Sequence, residues 1–123
     1  MLKNYKELRV WQESYSLCLD IYRITKSFPK EEKYGLTNQV RRAAVSIPSH
    51  IAEGYGRKTI GEYTHSLYIA YGSECELDTQ IQLCYDLGYM KSNDFKGIEN
   101  KIKCVERMLK ALIKSLENKN QNP

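Results

Sequence analysis

Lys96, Lys103, Arg107, Lys110 and Lys114 recur at spacings of seven, four, three and four residues. On an α-helix that spacing puts all five cations on one outward stripe, a pattern suited to a row of phosphates. The same stretch also carries Glu99 and Glu106, each four residues before Lys103 and Lys110. Acid-then-base pairs of that order belong equally to an ordinary solvated helix face. Arg41 and Arg42 raise the same choice. Arginine can grip phosphate with two parallel bonds, or the two could pair with Glu76 and Asp78 and orient the fold. Arg57 and Lys58 follow Gly56 and would extend a basic surface.

Other chemistry is poorly supplied. His50 and Glu53 stand in the reverse order of the Glu-x-x-His pairs that hold di-iron centres, and His65 is isolated. Two histidines cannot complete such a set. No nucleophile–base arrangement and no glycine-rich phosphate loop is present, so neither catalysis, cofactor nor metal is expected. Cys18, Cys75, Cys84 and Cys104 form no C-x-x-C pair and read as reduced packing residues. Several of the ten tyrosines fall at helical seam positions, as packing residues with a polar tip.

The chain has 123 residues, with 41% hydrophobic and 28% charged, enough for one soluble domain with one core. No apolar run approaches the ~18 residues of a membrane span. The opening MLKNYKELRVW lacks the features of a secretory signal, so a cytoplasmic chain with no membrane partner is expected. Net charge is +4, but its distribution is uneven. Residues 1–58 hold eleven Lys/Arg against six acids, residues 59–90 five acids and no Lys or Arg, and residues 91–123 eight Lys/Arg against four acids. An acidic helix between basic ones points to internal pairing, with positive charge left over at both ends of the chain.

The elements that must position these groups are four helices. Leu8, Trp11, Tyr15, Cys18 and Tyr22 give the first a seam from about Leu8 to Ser27. The second starts near Thr37, a candidate N-cap, or at Pro29, and runs to Gly54 or Gly56. Thr59-Ile60-Gly61-Glu62 has the form of a capping box. It opens a third helix whose seam is Ile60, Tyr63, Leu67, Ala70, Leu77, Ile81 and Cys84, with Gly88 as its stop. Glu74 falls within that seam, either as an acid of raised pKa or as a residue at a subunit boundary. The fourth helix opens near Ser92 or Asn93, with Phe95, Ile98, Ile102, Val105, Leu109, Leu112 and Leu116 inward. Together they predict an all-α, antiparallel up-down four-helix bundle over residues 1–117, with a polar tail at 118–123.

Helix two is unusual in carrying Pro48 in its middle, where a proline costs on the order of 3 kcal/mol. Its core stripe is Val40, Ala44, Ile47 and Ile51. A further strip, Arg41, Val45, Pro48 and Ala52, lies to one side. Helix three has a similar excess in Ile69, Leu83 and Leu87. One apolar face suffices for a bundle helix, so these second faces, with the bend at Pro48, predict contacts between copies of the chain.

The run FPKEEKYGLTNQVRRAAVSIPSHIAEGYGR, followed by GEYTHSLYIAYGSECELDTQIQL, closely resembles the four-helix proteins encoded in intervening sequences of bacterial 23S rRNA genes. The similarity extends over roughly residues 8–115. R-x-x-x-S-I-P-x-x-I-A-E-G and G-S-x-x-E-L-x-T-Q carry it. The resemblance implies a ring-like homopentamer. It also implies kinship with the accessory proteins of diversity-generating retroelements, which have a basic surface and bind nucleic acid. One departure is His50, where members usually carry Asn. The function expected is a non-catalytic homo-oligomer binding RNA or DNA through phosphate contacts, the alternative a scaffold for a protein partner. Arg41, Arg42, Arg57, Lys58 and the five helix-four cations are the candidate contacts. Val45, Pro48, His50, Ala52, Glu53, Ile69, Glu76, Leu83 and Leu87 are the candidate structural or interface residues.

Overall fold

Backbone chemistry explains where each helix begins and ends. A computed structural model describes residues 2–121 and places in them α1 (Arg9–Thr25), α2 (Leu36–Tyr55), α3 (Ile60–Asp86) and α4 (Ser92–Gln121). Single 3₁₀ turns at Tyr5–Glu7 and Lys30–Glu32 precede α1 and α2. Thr59 caps α3 as its sequence predicts, accepting from the Glu62 amide at 3.1 Å. At the other end, Gly88 takes φ +82°. Tyr89 N–H reaches back to the Cys84 carbonyl and Gly88 N–H to Tyr85, each at 2.9 Å. These are the paired bonds of a Schellman ending, and the left-handed residue they require is most easily glycine.

The start of α2 differs from expectation. Thr37 does not cap it, and it does not begin at Pro29. Gly35 precedes the first helical residue, and Glu32 reaches forward to accept from the Leu36 amide at 3.1 Å. An anionic cap suits the positive end of the helix, and this bond holds the Glu32 carboxyl below its ordinary pKa. Thr37 is buried as the second residue of the helix. At the chain's other end α4 continues through Gln121, so positions 118–121 of the expected tail are helical. Positions 122 and 123 lie outside the described residues.

α1 packs on α2, α2 on α3, α3 on α4 and α4 back on α1, while among the described residues the backbones of the diagonal pairs stay apart. With short connections, this is an antiparallel up-down four-helix bundle without strands among the described residues. Its core is aliphatic: Leu17, Ile21, Val40, Ile47, Ile51, Leu67, Leu77, Ile81, Val105 and Leu109 are fully buried. The α1 seam is rotated from the one expected. Val10, Leu17 and Ile21 point inward, whereas Tyr15 and Tyr22 stay 46% and 40% exposed. Phenols must keep their hydroxyls in reach of water, so the aliphatic stripe takes the axis and the rings its edge. Tyr15 stacks there on Trp11, ring centroids 4.9 Å apart.

Pro48 stands inside α2, which runs unbroken on both sides of it. Its side chain is buried and, with Val45 and Ala52, faces Trp11 and Tyr15 across a groove of about 320 Å³ between α1 and α2. No helix among the described residues is long and apolar enough to cross a membrane.

Candidate nucleic-acid interface

Lys96, Lys103, Arg107, Lys110 and Lys114 are all exposed on α4, on the side away from its buried Ile98, Ile102, Val105 and Leu109. At 1.5 Å per residue the stripe is about 27 Å long. The acids among them make no direct ion pair with it. Among the described residues no salt bridge joins Glu99 to Lys103 or Glu106 to Lys110, which corrects the solvated-pair reading.

Both acids turn under the helix toward α3. Glu106 meets Glu74, and Glu99 meets Asp78, each pair within hydrogen-bonding reach. A bond between two carboxyls requires that one keep its proton and donate it. Glu74 is only 1% exposed, and one of its oxygens is buried with no partner. Burial, then the Glu106 charge and hydrogen bond, push its carboxyl up to about 7. Glu99 is also pushed up to about 7, first by its bond with Asp78 and then by burial, with nearby Lys103 acting in the opposite direction. With both carboxyls at about 7, each is only about half ionised at neutral pH, which lessens the negative charge beneath the stripe. Glu74 thus belongs to the bundle interior, not to a subunit boundary.

The other candidate cations lie elsewhere. α2 is diagonal to α4, so Arg41 and Arg42 share no surface with the stripe. Arg41 does not pair with Glu76 or Asp78. Its Nε donates to Thr25 Oγ1 at 2.8 Å and Nη2 to the Tyr22 carbonyl at 3.4 Å. The guanidinium carbon lies 4.6 Å from the Tyr22 ring centre. It therefore joins α2 to α1. Arg42 is exposed. In the α2–α3 turn, Arg57 pairs with Glu53 at 2.6 Å and Lys58 is exposed.

A family model described as 23S rRNA-intervening sequence protein matches residues 6–111. The chain belongs to that family. A crystal structure of a Bacteroides thetaiotaomicron protein of unknown function, from the S23 ribosomal protein family, has the same fold. Its TM-score is 0.79, over 85% of this chain and 95% of that one, at 19% identity. No curated protein matches the chain.

In this intervening-sequence protein the two sequence motifs meet across α2 and α3. Ser46 of the first and Ser73 of the second share a hydrogen bond of 2.7 Å. His50 supports it: its Nδ1 lies 2.9 Å from the Ser46 carbonyl and 3.0 Å from the Ser46 hydroxyl. Gly54 lets the helices approach, since a Cβ there would fall 2.9 Å from the Ser66 Cβ. Glu76 is exposed and accepts from Gln80 at 3.1 Å. Ile69, Leu83 and Leu87 are 40%, 47% and 51% exposed, and Val45 39%, so among the described residues the α3 face and Val45 are left incompletely covered.

Sequence reasoning missed Lys101, which bonds Ser16 at 2.8 Å and also Asp20 and so ties α4 to α1. Its offset from the stripe was the available signal. The Glu74–Glu106 pairing had one signal too, an acid at a seam position.

Proposed function

We propose that the protein is a non-catalytic homo-oligomer that binds RNA or DNA through phosphate contacts along α4. The observation that carries this reading is the exposed row of five cations whose interleaved acids face α3 instead. Phosphate contact needs positive charge without local neutralisation, and each cation engaged releases condensed counterions. Assembly would multiply weak rows on one strand where copies present them together.

The test reverses Lys103, Arg107 and Lys110 to Glu and titrates both proteins with generic RNA and duplex DNA at ~50 mM salt, where phosphate contacts are strong. Wild type should bind, with affinity falling steeply as salt rises. The triple variant should lose binding while its helical circular dichroism is unchanged. A wild type that binds neither nucleic acid sinks this reading. The exposed Ile69, Leu83 and Leu87 would then favour the second one, a scaffold whose partner is another protein and whose binding is insensitive to salt.

A further inference from the structure

Where α1 turns into α2, a cavity of about 380 Å³ opens between the end of one helix and the start of the next. Four of its lining residues are cations, Lys26, Lys30, Lys33 and Arg41, and no acid lines it. Among the described residues none of the four is in a salt bridge. Of the two acids between Lys30 and Lys33, Glu32 is engaged by the Leu36 amide and by the Tyr89 hydroxyl at 2.8 Å, and Glu31 is exposed and does not line the cavity.

Two features distinguish this from a cluster of surface lysines. Arg41 is fixed in advance by the Thr25 hydroxyl, the Tyr22 carbonyl and the Tyr22 ring, so little freedom is left to lose when it binds. Thr37 also lines the cavity, is 7% exposed, and its hydroxyl has no hydrogen-bond partner. A buried donor without an acceptor is costly, and an anion oxygen would satisfy it. Phe28 and Pro29 add an apolar wall.

We propose that this cavity binds the phosphate of a phosphate monoester. Four cations on one lining suit a dianion better than a carboxylate, and a guanidinium with a hydroxyl is the donor set phosphate oxygens accept from. The apolar wall leaves room for the organic part of the ester, as small-molecule sites do. The monoester could be a free nucleotide or the 5′-end of a nucleic-acid strand. The site is separate from the α4 stripe, and its success or failure does not depend on it.

Backbone and arginine side-chain NMR resonances report on the proposal during titration with inorganic phosphate, ionic strength being held constant with chloride. Thr37 N–H and Arg41 Nε–H should shift and saturate, while acetate should produce no saturating change. Lys30→Glu with Lys33→Glu should abolish the effect. Both side chains are exposed, so the fold should survive, whereas Arg41 variants could fail for want of the α1–α2 link. The Lys103, Arg107 and Lys110 reversal should leave the phosphate response intact. Adenosine monophosphate and a short oligonucleotide with and without a 5′-phosphate then identify the source. A 5′-phosphate should tighten oligonucleotide binding about tenfold if strand ends are the ligand, and the free nucleotide should match it if metabolites are. Shifts that never saturate, or that persist in the Lys30/Lys33 variant, overturn the proposal.

Discussion

A single carboxyl shows how far one residue's behaviour departs from its sequence neighbourhood. Glu74 sits at a seam position, and that much could be read from spacing. Its partner could not. Helical periodicity identifies which residues share a face within one helix, but not how two helices are rotated against each other. Glu106 was therefore matched with Lys110 on its own helix, while the fold gives it to Glu74. Arg41 misled in the same way, since its charge suggested an acid and its contacts are a hydroxyl, a carbonyl and a ring. The energetic consequence of Glu74 has a definite sign. Its folded pKa of about 7 lies above the ordinary carboxyl value, so folding favours the protonated form. The stabilisation is complete below about pH 4 and is lost as pH rises through about 7. Glu74→Gln keeps the shape and cannot ionise. Urea denaturation should find it more stable than wild type at pH 8.5 by on the order of 3 kcal/mol, and about equally stable at pH 4. Parallel pH curves for the two proteins would show that the buried carboxyl is not titrating.

At the scale of elements, what was legible was what local backbone chemistry controls. The capping box at Thr59 and the glycine stop at Gly88 occur where the sequence puts them, because each is decided within a few residues. The α1 seam was misread because Tyr15 and Tyr22 have the right spacing but the wrong polarity for the bundle axis. Close approach between helices depends on both partners and is harder still to read. Gly54 shows this. A Cβ at Gly54 would meet Ser66 Cβ at 2.9 Å and Tyr63 Cδ1 at 3.0 Å, whereas nothing lies within 4 Å of one at Gly72. Both glycines are helical, so replacement by alanine gains up to ~1 kcal/mol of helix propensity in each case. At Gly54 the overpacking of α2 against α3 should outweigh this, with a net loss of about 1–2 kcal/mol. Gly72→Ala should instead raise the melting temperature. Thermal denaturation of the two variants checks the contrast, and equal effects would mean that α2 and α3 can separate slightly at no cost.

The whole molecule poses a question its own fold leaves open, namely what covers its apolar flanks. The bundle was legible because four seams with short connections permit few other arrangements. The flanks were visible as surplus apolar positions, and the structure adds that they are two different surfaces. One is the groove between α1 and α2, lined by Trp11, Tyr15, Val45 and Pro48; the other is the α3 row of Ile69, Leu83 and Leu87. A two-fold dimer buries the same patch on both copies, whereas joining two different patches makes a head-to-tail contact that closes into a ring if the rotation allows. Light scattering at micromolar concentration should therefore find a closed homo-oligomer, a pentamer being the expectation from the family resemblance. Val45→Glu spoils the groove, and Leu83→Glu with Leu87→Glu spoils the row. All three side chains are well exposed, so each variant should fold and remain monomeric. Their mixture separates the two geometries. A Val45→Glu chain still has its row and a Leu83/Leu87 chain its groove, so head-to-tail contact predicts a dimer that cannot grow, with one intact interface and two spoiled ends. Contact between like patches predicts no association between the two variants. A monomeric wild type would refute assembly through either surface.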